Sequence, residues 1–182
     1  MTRGKREQAG SKTNAMRALD NAGIAYEYLA YEVEDETSTG IGVRVALATG
    51  EDPDASFKTL VCVSPRKTYS VFCIPVACEL DLKKAARAAG EKSLALLNWH
   101  DLPAVTGYVR GGTSPLGMKK EFPTFIDETA QLFDRISISG GKIGAKLVLD
   151  PVELANFCHA AFLDLVEGCC GCRSTRSTYP GT

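Results

Sequence analysis

A glycine-rich loop in the middle of the chain places the strongest constraint on its fold. The segment Gly111-Gly112-Thr113-Ser114-Pro115-Leu116-Gly117-Met118-Lys119-Lys120 combines three glycines, a proline, two hydroxyl side chains and two lysines. Glycine accepts φ > 0 and lets the backbone approach a ligand, whereas proline fixes φ. Such a loop can hold an oxygen-rich ligand on its backbone N–H groups, with lysines at its edge to attract phosphate. An ordinary long turn between two strands is the alternative, and composition by itself favours the turn.

Length and composition indicate one soluble globular domain. The chain has 182 residues, of which 45% are hydrophobic and 24% charged, and this is enough to bury a core. No apolar run approaches the roughly 20 residues of a membrane span. Because residues 1–12 are polar and basic, they do not read as a secretory signal, and we expect a cytoplasmic protein without membrane contact. The expected organisation is a flexible lead at 1–12, one domain at 13–167 and a flexible cysteine-containing tail at 168–182.

Charge excludes one mode of nucleic-acid binding. The formal net charge is −1, so the chain lacks the global basic field that drives sequence-independent binding. Any nucleic-acid partner must therefore be held by a local patch.

Capping residues and helical spacing of apolar residues predict the helices. The first predicted helix is capped by Thr13 and ends at Gly23, and the second has the apolar stripe Ile41, Val45 and Ala48. A short helical turn is expected at Asp52-Pro53, a helix over 82–89 capped by Asp81, and a short helix between Asp101 and Gly107. The last predicted helix begins at Asp150-Pro151. Leu154, Cys158, Ala161 and Leu165 are expected to form the buried face of this last helix.

Strand patterns occupy much of the rest of the chain. Segments 58–63 and 68–74 flank Ser64-Pro65-Arg66-Lys67 and predict a hairpin. Further strands are expected at 24–31, 93–97, 122–127, 135–139 and 146–149, with a second glycine turn at 140–144. Strands and helices do not alternate regularly, so the fold class is α/β of the mixed α+β kind rather than a doubly wound parallel sheet.

Two common catalytic arrangements do not fit the sequence. Gly112 and Gly117 have the glycine spacing of a P-loop, but Met118-Lys119 follows in place of Lys-Ser/Thr. The two histidines, His100 and His159, have no persuasive nucleophile beside them in sequence. His159 is interpreted as a surface residue of the last helix.

The cysteines do not predict a metal site. Cys169-Cys170-x-Cys172, with Cys158 and His159 upstream, matches no closed zinc pattern. We therefore expect neither a metal nor another cofactor. Cys62, Cys73 and Cys78 lie in or beside apolar strand segments, where a thiol usually serves as a small core residue.

Lys58 opens the hydrophobic strand Lys58-Thr59-Leu60-Val61-Cys62-Val63. A lysine at the mouth of a strand can project into a pocket and stabilise an anion. It can equally be a strand-edge lysine that discourages edge pairing. The residues alone leave both interpretations open.

Taken together, several motifs resemble one known family, the YbaK family of stand-alone aminoacyl-tRNA editing enzymes, relatives of the editing domain inserted in bacterial prolyl-tRNA synthetases. The motifs, in chain order, are Lys58-Thr59-Leu60, Ile74-Pro75-Val76-Ala77, Leu80-Asp81-Leu82-Lys83-Lys84, Thr106-Gly107-Tyr108, the glycine loop, and Ser139-Gly140-Gly141-Lys142. The likeness covers roughly residues 12–167.

The resemblance implies a fold, an activity and a mechanism. The expected fold is a compact, mixed, barrel-like β-sheet flanked by helices. The expected activity is trans-acting deacylation of mischarged Cys-tRNA(Pro), with Cys-tRNA(Cys) as a further substrate. Cysteine and proline differ too little in volume for one pocket to reject either strongly, so a second check is needed. In the family mechanism the substrate thiol attacks its own ester and forms a cyclic thiolactone, while the protein orients the substrate and stabilises the oxyanion.

The resemblance also assigns residues. Lys58 matches the family's key lysine, which would engage the terminal phosphate or the reacting ester. Substrate binding falls to Tyr31, Thr59, Gly111, Gly112, Ser114 and Pro115, and weaker RNA contacts fall to Lys119 and Lys120. The expected partners are the aminoacylated 3′ end of tRNA and prolyl-tRNA synthetase. The chain departs from the pattern at Ala145-Lys146, where relatives can carry an acidic residue.

Two other functions stay open at this point. One is editing of another small amino acid, such as alanine, by attack of water. The other is a non-catalytic module that binds tRNA or a synthetase.

Overall fold

The computed structural model describes residues 11–32 and 41–168. The helices are α1 Asn14–Ala22, α2 Ile41–Thr49, α3 Leu82–Ala88, α4 Leu102–Thr106 and α5 Pro151–Cys158. The strands are β1 Glu27–Ala30, β2 Phe57–Val63, β3 Tyr69–Pro75, β4 Ala95–Leu96, β5 Thr124–Asp127, β6 Ile136–Ser139, β7 Ala145–Leu149 and β8 Ala161–Leu163. Short 3₁₀ turns occupy Pro53–Ala55 and Glu128–Leu132. Almost all of the predicted lead and the tail from residue 169, with its three cysteines, lie outside the described residues.

Local capping chemistry accounts for the helix ends. Thr13 Oγ1 accepts the N–H of Met16 at 3.2 Å, and Gly23 ends α1 at φ 69°. Asp81 accepts the N–H groups of Lys83 and Lys84 at the start of α3. Each capping oxygen satisfies donors that have no partner inside the helix. These predicted ends of α1 and α3 are confirmed.

The last helix is shorter than predicted. It ends at Cys158, and His159 adopts φ 50° at its C-cap. Ala161, expected on the buried face of this helix, instead lies exposed in β8 and pairs with Phe125 of β5. The prediction was wrong because parallel pairing with β5 satisfies the backbone of 161–163, and periodicity along the chain cannot reveal that long-range pairing.

Two sheets form the centre of the molecule. One contains five strands in the order β4-β2-β3-β5-β8, and the other contains three in the order β1-β7-β6. The hairpin β2–β3 is antiparallel, as predicted, whereas β5 runs parallel to β3 and to β8. The expectation of a mixed sheet flanked by helices is confirmed, although the strands of the described residues do not close into a barrel. A parallel bridge between Ser56 and Ser137 connects the two sheets.

The core divides between the faces of these sheets. The larger cluster joins α1, α5, β6 and β7 and includes Leu19, Ile138, Leu147 and Leu154. A second cluster lies under α3 and includes Phe72 and Ile74. Burial raises the pKa of the Cys62 and Cys73 thiols to about 12, so both are protonated core residues at neutral pH. Cys78 is buried as expected, but it is disulfide-bonded rather than a free thiol.

Gly117 and Gly90 provide a matched test of the packing of the glycine loop. Both adopt a left-handed backbone, with φ +65° and +67°. A Cβ on Gly117 would lie 2.7 Å from the carbonyl carbon of Asn14, whereas a Cβ on Gly90 meets no heavy atom within 4 Å. We expect Gly90→Ala to lower the free energy of unfolding by about 1 kcal/mol and Gly117→Ala by about 2–4 kcal/mol, because the second variant adds a steric clash. Urea denaturation measures both, and equal losses would contradict this account of the loop.

Candidate functional site

Polar side chains of both sheets share one face near the bridge that connects them. Ser56 and Ser137 are paired across the bridge, and their hydroxyl oxygens lie 2.9 Å apart. Side chains two residues apart on a strand point to the same side. Lys58 is therefore on the same face as Ser56, and Ser139 is on the same face as Ser137. We call this surface the polar face; Lys146, the register partner of Ser139, belongs to it as well.

Lys146 and Glu51 form a buried ion pair at the polar face. Lys146 is only 7% exposed, and the Glu51 side chain is 13% exposed. Lys146 Nζ donates to Glu51 Oε2 at 2.5 Å and to Ser56 Oγ at 2.8 Å. Thr49 Oγ1 lies 2.7 Å from the same carboxylate oxygen. Burial makes each charge depend on the other, because an unpaired charge in this position would be costly.

The second carboxylate oxygen of Glu51, Oε1, lacks a hydrogen-bond donor among the described residues. Glu51 Oε1 is buried and makes no hydrogen bond with any residue in the described parts of the chain. Buried acceptors without a donor are rare in folded proteins, so this one requires an explanation. Among the described residues, Oε1 is thus a buried acceptor beside the polar face that lacks a donor.

Tyr31 lies beside this ion pair. Its backbone N–H donates to Gly144 O at 3.0 Å, which attaches the end of β1 to the second glycine turn. Burial raises the pKa of Tyr31 above its usual value, the backbone N–H of Gly144 opposes this, and the negative charge of Glu51 adds to the increase. The structure thus brings Tyr31 next to Glu51 at the edge of the polar face.

Lys58 is the accessible cation of the polar face. Its side chain is 28% exposed, and Nζ lies 3.3 Å from Oε1 of Glu79, whose side chain is 79% exposed. An exposed pair of this kind is weak and easily replaced by a ligand. Thr59 projects to the opposite side of β2, where its hydroxyl lies 3.8 Å from Cys73 Sγ. Thr59, predicted to bind the substrate, is therefore on a different face of the strand from Lys58.

The glycine loop is attached to the second glycine turn. A Cβ on Gly112 would lie 3.1 Å from Lys142 Cα and from Ile143 N, so the two backbones are in close contact. Tyr108 Oη donates to Leu116 O at 2.6 Å and fixes the middle of the loop. Since the second glycine turn connects β6 to β7, the glycine loop lies at the Ser139 end of the polar face.

Not every predicted loop residue is accessible. Ser114 is fully buried, and its Oγ accepts the N–H of Leu116 at 3.3 Å. Pro115 faces α5, where its carbonyl accepts a long hydrogen bond from Cys158 Sγ at 3.9 Å. Gly111 is exposed and Gly112 is buried against the second glycine turn. Ser114 and Pro115 thus support the loop, whereas Gly111 borders the solvent.

The two lysines at the end of the loop differ in their freedom. Lys119 Nζ donates to Pro103 O at 2.8 Å, and its backbone N–H donates to Thr106 O at 3.0 Å, so its side chain holds α4. Lys120 is exposed.

A cavity on another part of the surface has the wrong charge for a phosphate. It has a volume of about 770 Å³, and it does not include Lys58 or the glycine loop. Its lining includes Glu27, Asp134, Asp150, Glu153 and Arg135. Four carboxylates against one guanidinium disfavour an anionic ligand, so we place the candidate site at the polar face.

Comparison with known sequences identifies the family of the chain. A sequence model described as the aminoacyl-tRNA editing domain matches residues 42–157, a range that contains Glu51, Lys58, the glycine loop and Lys146. The chain belongs to the aminoacyl-tRNA editing domain family. Its resemblance to YbaK proteins is thereby confirmed.

Two individual similarities extend over nearly the whole editing domain. The chain is 40% identical over 161 residues to EbsC of Enterococcus faecalis, which carries the provisional name Cys-tRNA(Pro)/Cys-tRNA(Cys) deacylase. This match covers 88% of the chain and 96% of EbsC. A crystal structure provisionally described as a trans-editing enzyme for prolyl tRNA synthetase has a TM-score of 0.72 at 26% identity, covering 85% of this chain and 96% of the other.

A third similarity concerns the fold alone. The crystal structure of a protein described as hypothetical matches with a TM-score of 0.76 at 20% identity, covering 85% of this chain and all of the other.

Among the described residues, no helix has the length and the apolar character that a membrane span requires.

Sequence reasoning missed most of the buried network. Glu51 follows Gly50 at the end of α2, and nothing in its sequence context distinguishes it from a surface residue. Lys146 does carry a signal, because it lies within the otherwise apolar strand Ala145–Leu149. A lysine in a buried strand requires an anionic partner, but the sequence does not identify which carboxylate supplies it.

The ion pair can be tested through stability. Lys146→Met leaves Glu51 buried without its cation and should lower the free energy of unfolding by about 3–5 kcal/mol. The double variant Glu51→Gln/Lys146→Met removes both charges and should recover most of this loss. Urea denaturation of both variants gives the comparison. Lys12→Met is the control: it breaks the exposed pair with Asp20 and should change the free energy of unfolding little. A Lys146→Met variant that is as stable as this control would contradict the buried ion pair.

Proposed function

We propose that this protein is an aminoacyl-tRNA deacylase that removes cysteine from mischarged Cys-tRNA(Pro), and from Cys-tRNA(Cys) as a second substrate. The 40% identity to EbsC over 96% of that protein is the observation that carries the proposal. The polar face supports it, because an accessible lysine and a glycine loop lie on or beside one surface. The reaction occurs in the cytoplasm, where charged tRNA is used, and prolyl-tRNA synthetase is the proposed protein partner.

In the proposed chemistry the substrate supplies the nucleophile. Its thiol sulfur attacks the ester carbonyl carbon, the bond from that carbon to the ribose oxygen breaks, and the thiol proton is transferred to the ribose oxygen. A cyclic thiolactone and deacylated tRNA leave the site. The described cysteines suit this assignment of roles: Cys73 and Cys158 have pKa values raised to about 12 by burial, so neither is a thiolate at neutral pH.

Lys58 is the proposed catalytic residue. Its ammonium would stabilise the negative charge that develops on the ester oxygen, or would hold the phosphate of the terminal adenosine. A positioned cation is worth more in a partly desolvated site than in water. Tyr31, Gly111 and Gly112 border the same surface and would position the ester for attack. Thr59 on the other face of β2, and Ser114 and Pro115 in the loop, would contribute by supporting β2 and the loop.

At the position of Lys146, relatives can carry an acidic residue, and Glu51 would take over the role of that carboxylate. Its negative charge would attract the amino group of the esterified amino acid, while Lys146 holds Oε2 in place. A buried, hydrogen-bonded carboxylate is a precise acceptor because its partners limit its motion. The site would therefore keep an acidic group, supplied by Glu51 instead of by the residue at position 146.

Lys58→Ala tests the role of the lysine. We expect kcat/KM for Cys-tRNA(Pro) to fall about 100- to 1,000-fold, the loss typical of removing one group that stabilises an oxyanion. Glu79→Gln removes only the exposed partner of Lys58 and should leave turnover nearly unchanged. Release of cysteine from charged tRNA is the measurement. Normal turnover by Lys58→Ala would exclude the lysine from the chemistry.

S-methylation of the substrate cysteine tests the source of the nucleophile. A methylated sulfur cannot cyclise, so deacylation of this substrate should fall to the background rate. Unchanged release would indicate attack by water and would favour editing of another small amino acid.

A panel of Cys-, Ala- and Ser-tRNA(Pro), with and without prolyl-tRNA synthetase, then distinguishes the substrates. Turnover by the purified chain alone would exclude a non-catalytic binding module.

A further inference from the structure

The single tryptophan of the chain lies on the surface in an ordered stack. Trp99 is 53% exposed and follows β4 directly before α4. Its ring centroid lies 3.5 Å from that of His100, with 30° between the ring planes. The imidazole covers one face of the indole, so a ligand that stacks on Trp99 would use the opposite face. An exposed indole offers a large apolar ring on which another aromatic ring can stack.

The turn that carries the stack is held by hydrogen bonds. The His100 N–H donates to Asn98 Oδ1 at 3.0 Å, and the Asp101 N–H donates to Asn98 O at 2.9 Å. These bonds fix the backbone of the turn that carries both rings. A partner that stacks on Trp99 therefore does not have to order this backbone.

The stack is continuous with the candidate site through α4. This helix has five residues and is only about 7.5 Å long at 1.5 Å per residue. Trp99 precedes its first turn, and Arg110 and Gly111 follow its end at Gly107. Lys119 attaches the far end of the glycine loop to α4 through Pro103 O and Thr106 O. Trp99 and the glycine loop are therefore connected through one short helix.

The charges near this path favour an anionic chain only modestly. Arg110, Lys119 and Lys120 are exposed cations, and Asp101 and Glu121 are exposed carboxylates in the same segments. Three cations against two carboxylates make a weak local field in a chain with net charge −1. Binding of nucleic acid here must therefore draw mainly on stacking, which tolerates any base because every base has an aromatic face.

We propose that the Trp99–His100 turn is a stacking platform for a base in the unpaired 3′ end of the tRNA. Single-stranded RNA is commonly recognised by aromatic side chains that stack on exposed bases, with cations along the backbone. The choice of tRNA as the occupant rests on the proposed function. The amino acid lies at the polar face, the terminal nucleotides follow α4, and one base stacks on the open face of Trp99.

Tryptophan fluorescence, excited at a wavelength that tyrosine does not absorb, tests the proposal directly, since Trp99 is the single tryptophan of the sequence. Uncharged proline tRNA should quench this emission in a saturable way, and the same tRNA without its unpaired 3′ nucleotides should not. The effect of salt on binding should be shallow, because few phosphates are neutralised. Absence of quenching at concentrations where labelled tRNA is bound would overturn the platform. A response to prolyl-tRNA synthetase but not to tRNA would overturn it as well, in favour of a protein contact.

Substitution separates stacking from apolar contact. Trp99→Leu keeps an apolar side chain without a π face and should weaken tRNA binding and raise KM about tenfold, with kcat little changed. Trp99→Phe should retain most of the affinity. Leu132→Ala removes another exposed large side chain (74% exposed) in the 3₁₀ turn Glu128–Leu132 and should have no effect. Binding by Trp99→Leu equal to that of wild type would contradict the proposal.

Failure of the platform and failure of the proposed function give different results. Quenching by intact tRNA without any release of amino acid would support the platform and refute the deacylase. Normal deacylation by Trp99→Leu with an unchanged KM would support the deacylase and refute the platform.

Discussion

The ion pair between Lys146 and Glu51 connects three segments that are distant in the chain. Lys146 is on β7, Glu51 follows α2, and Ser56, which also accepts from Lys146, precedes β2. These contacts bring the three-stranded sheet against the start of the central hairpin, where Ser56 and Ser137 form the bridge between the sheets. A buried ion pair contributes little net stability compared with apolar packing, but it is costly to break. Its consequence here is positional, since the pair holds the polar face together at the junction of the two sheets.

The alternation of side chains along β2 separates function from packing. Phe57 and Thr59 point toward the large core cluster, whereas Ser56 and Lys58 point to the polar face. The same alternation on β6 buries Ile136 and Ile138 and leaves Ser137 and Ser139 on the polar face. One apolar side anchors each strand, so the other side can carry polar groups in fixed positions. The two glycine segments then bring backbone close to this face, because glycine at 112 allows direct contact with Lys142 and Ile143.

Much of the fold could be predicted because its signals are local. Thr13, Asp81 and Asp150 cap helices through donors two or three residues away, and the β2–β3 hairpin follows from two apolar runs around a short turn. The end of α5 could not be predicted, because β8 forms through pairing with β5, more than thirty residues earlier. Among the site residues, the sequence pointed to Lys58, Tyr31 and the glycine loop. It did not point to Glu51, and it could not tell that Thr59 and Ser114 face inward.

The sequence by itself determined the mixed α/β class, the helix ends, the central hairpin and the family, because these depend on residues that are close in the chain or on motifs in a fixed order. Only the tertiary structure decided which side chains meet. It paired Lys146 with a carboxylate 95 positions away and put Lys58 on the same face as Ser139. It also left Trp99 exposed, stacked on His100 just before α4. The physical reason is that charge pairing, burial and strand register are long-range properties, which the order of residues along one segment does not contain.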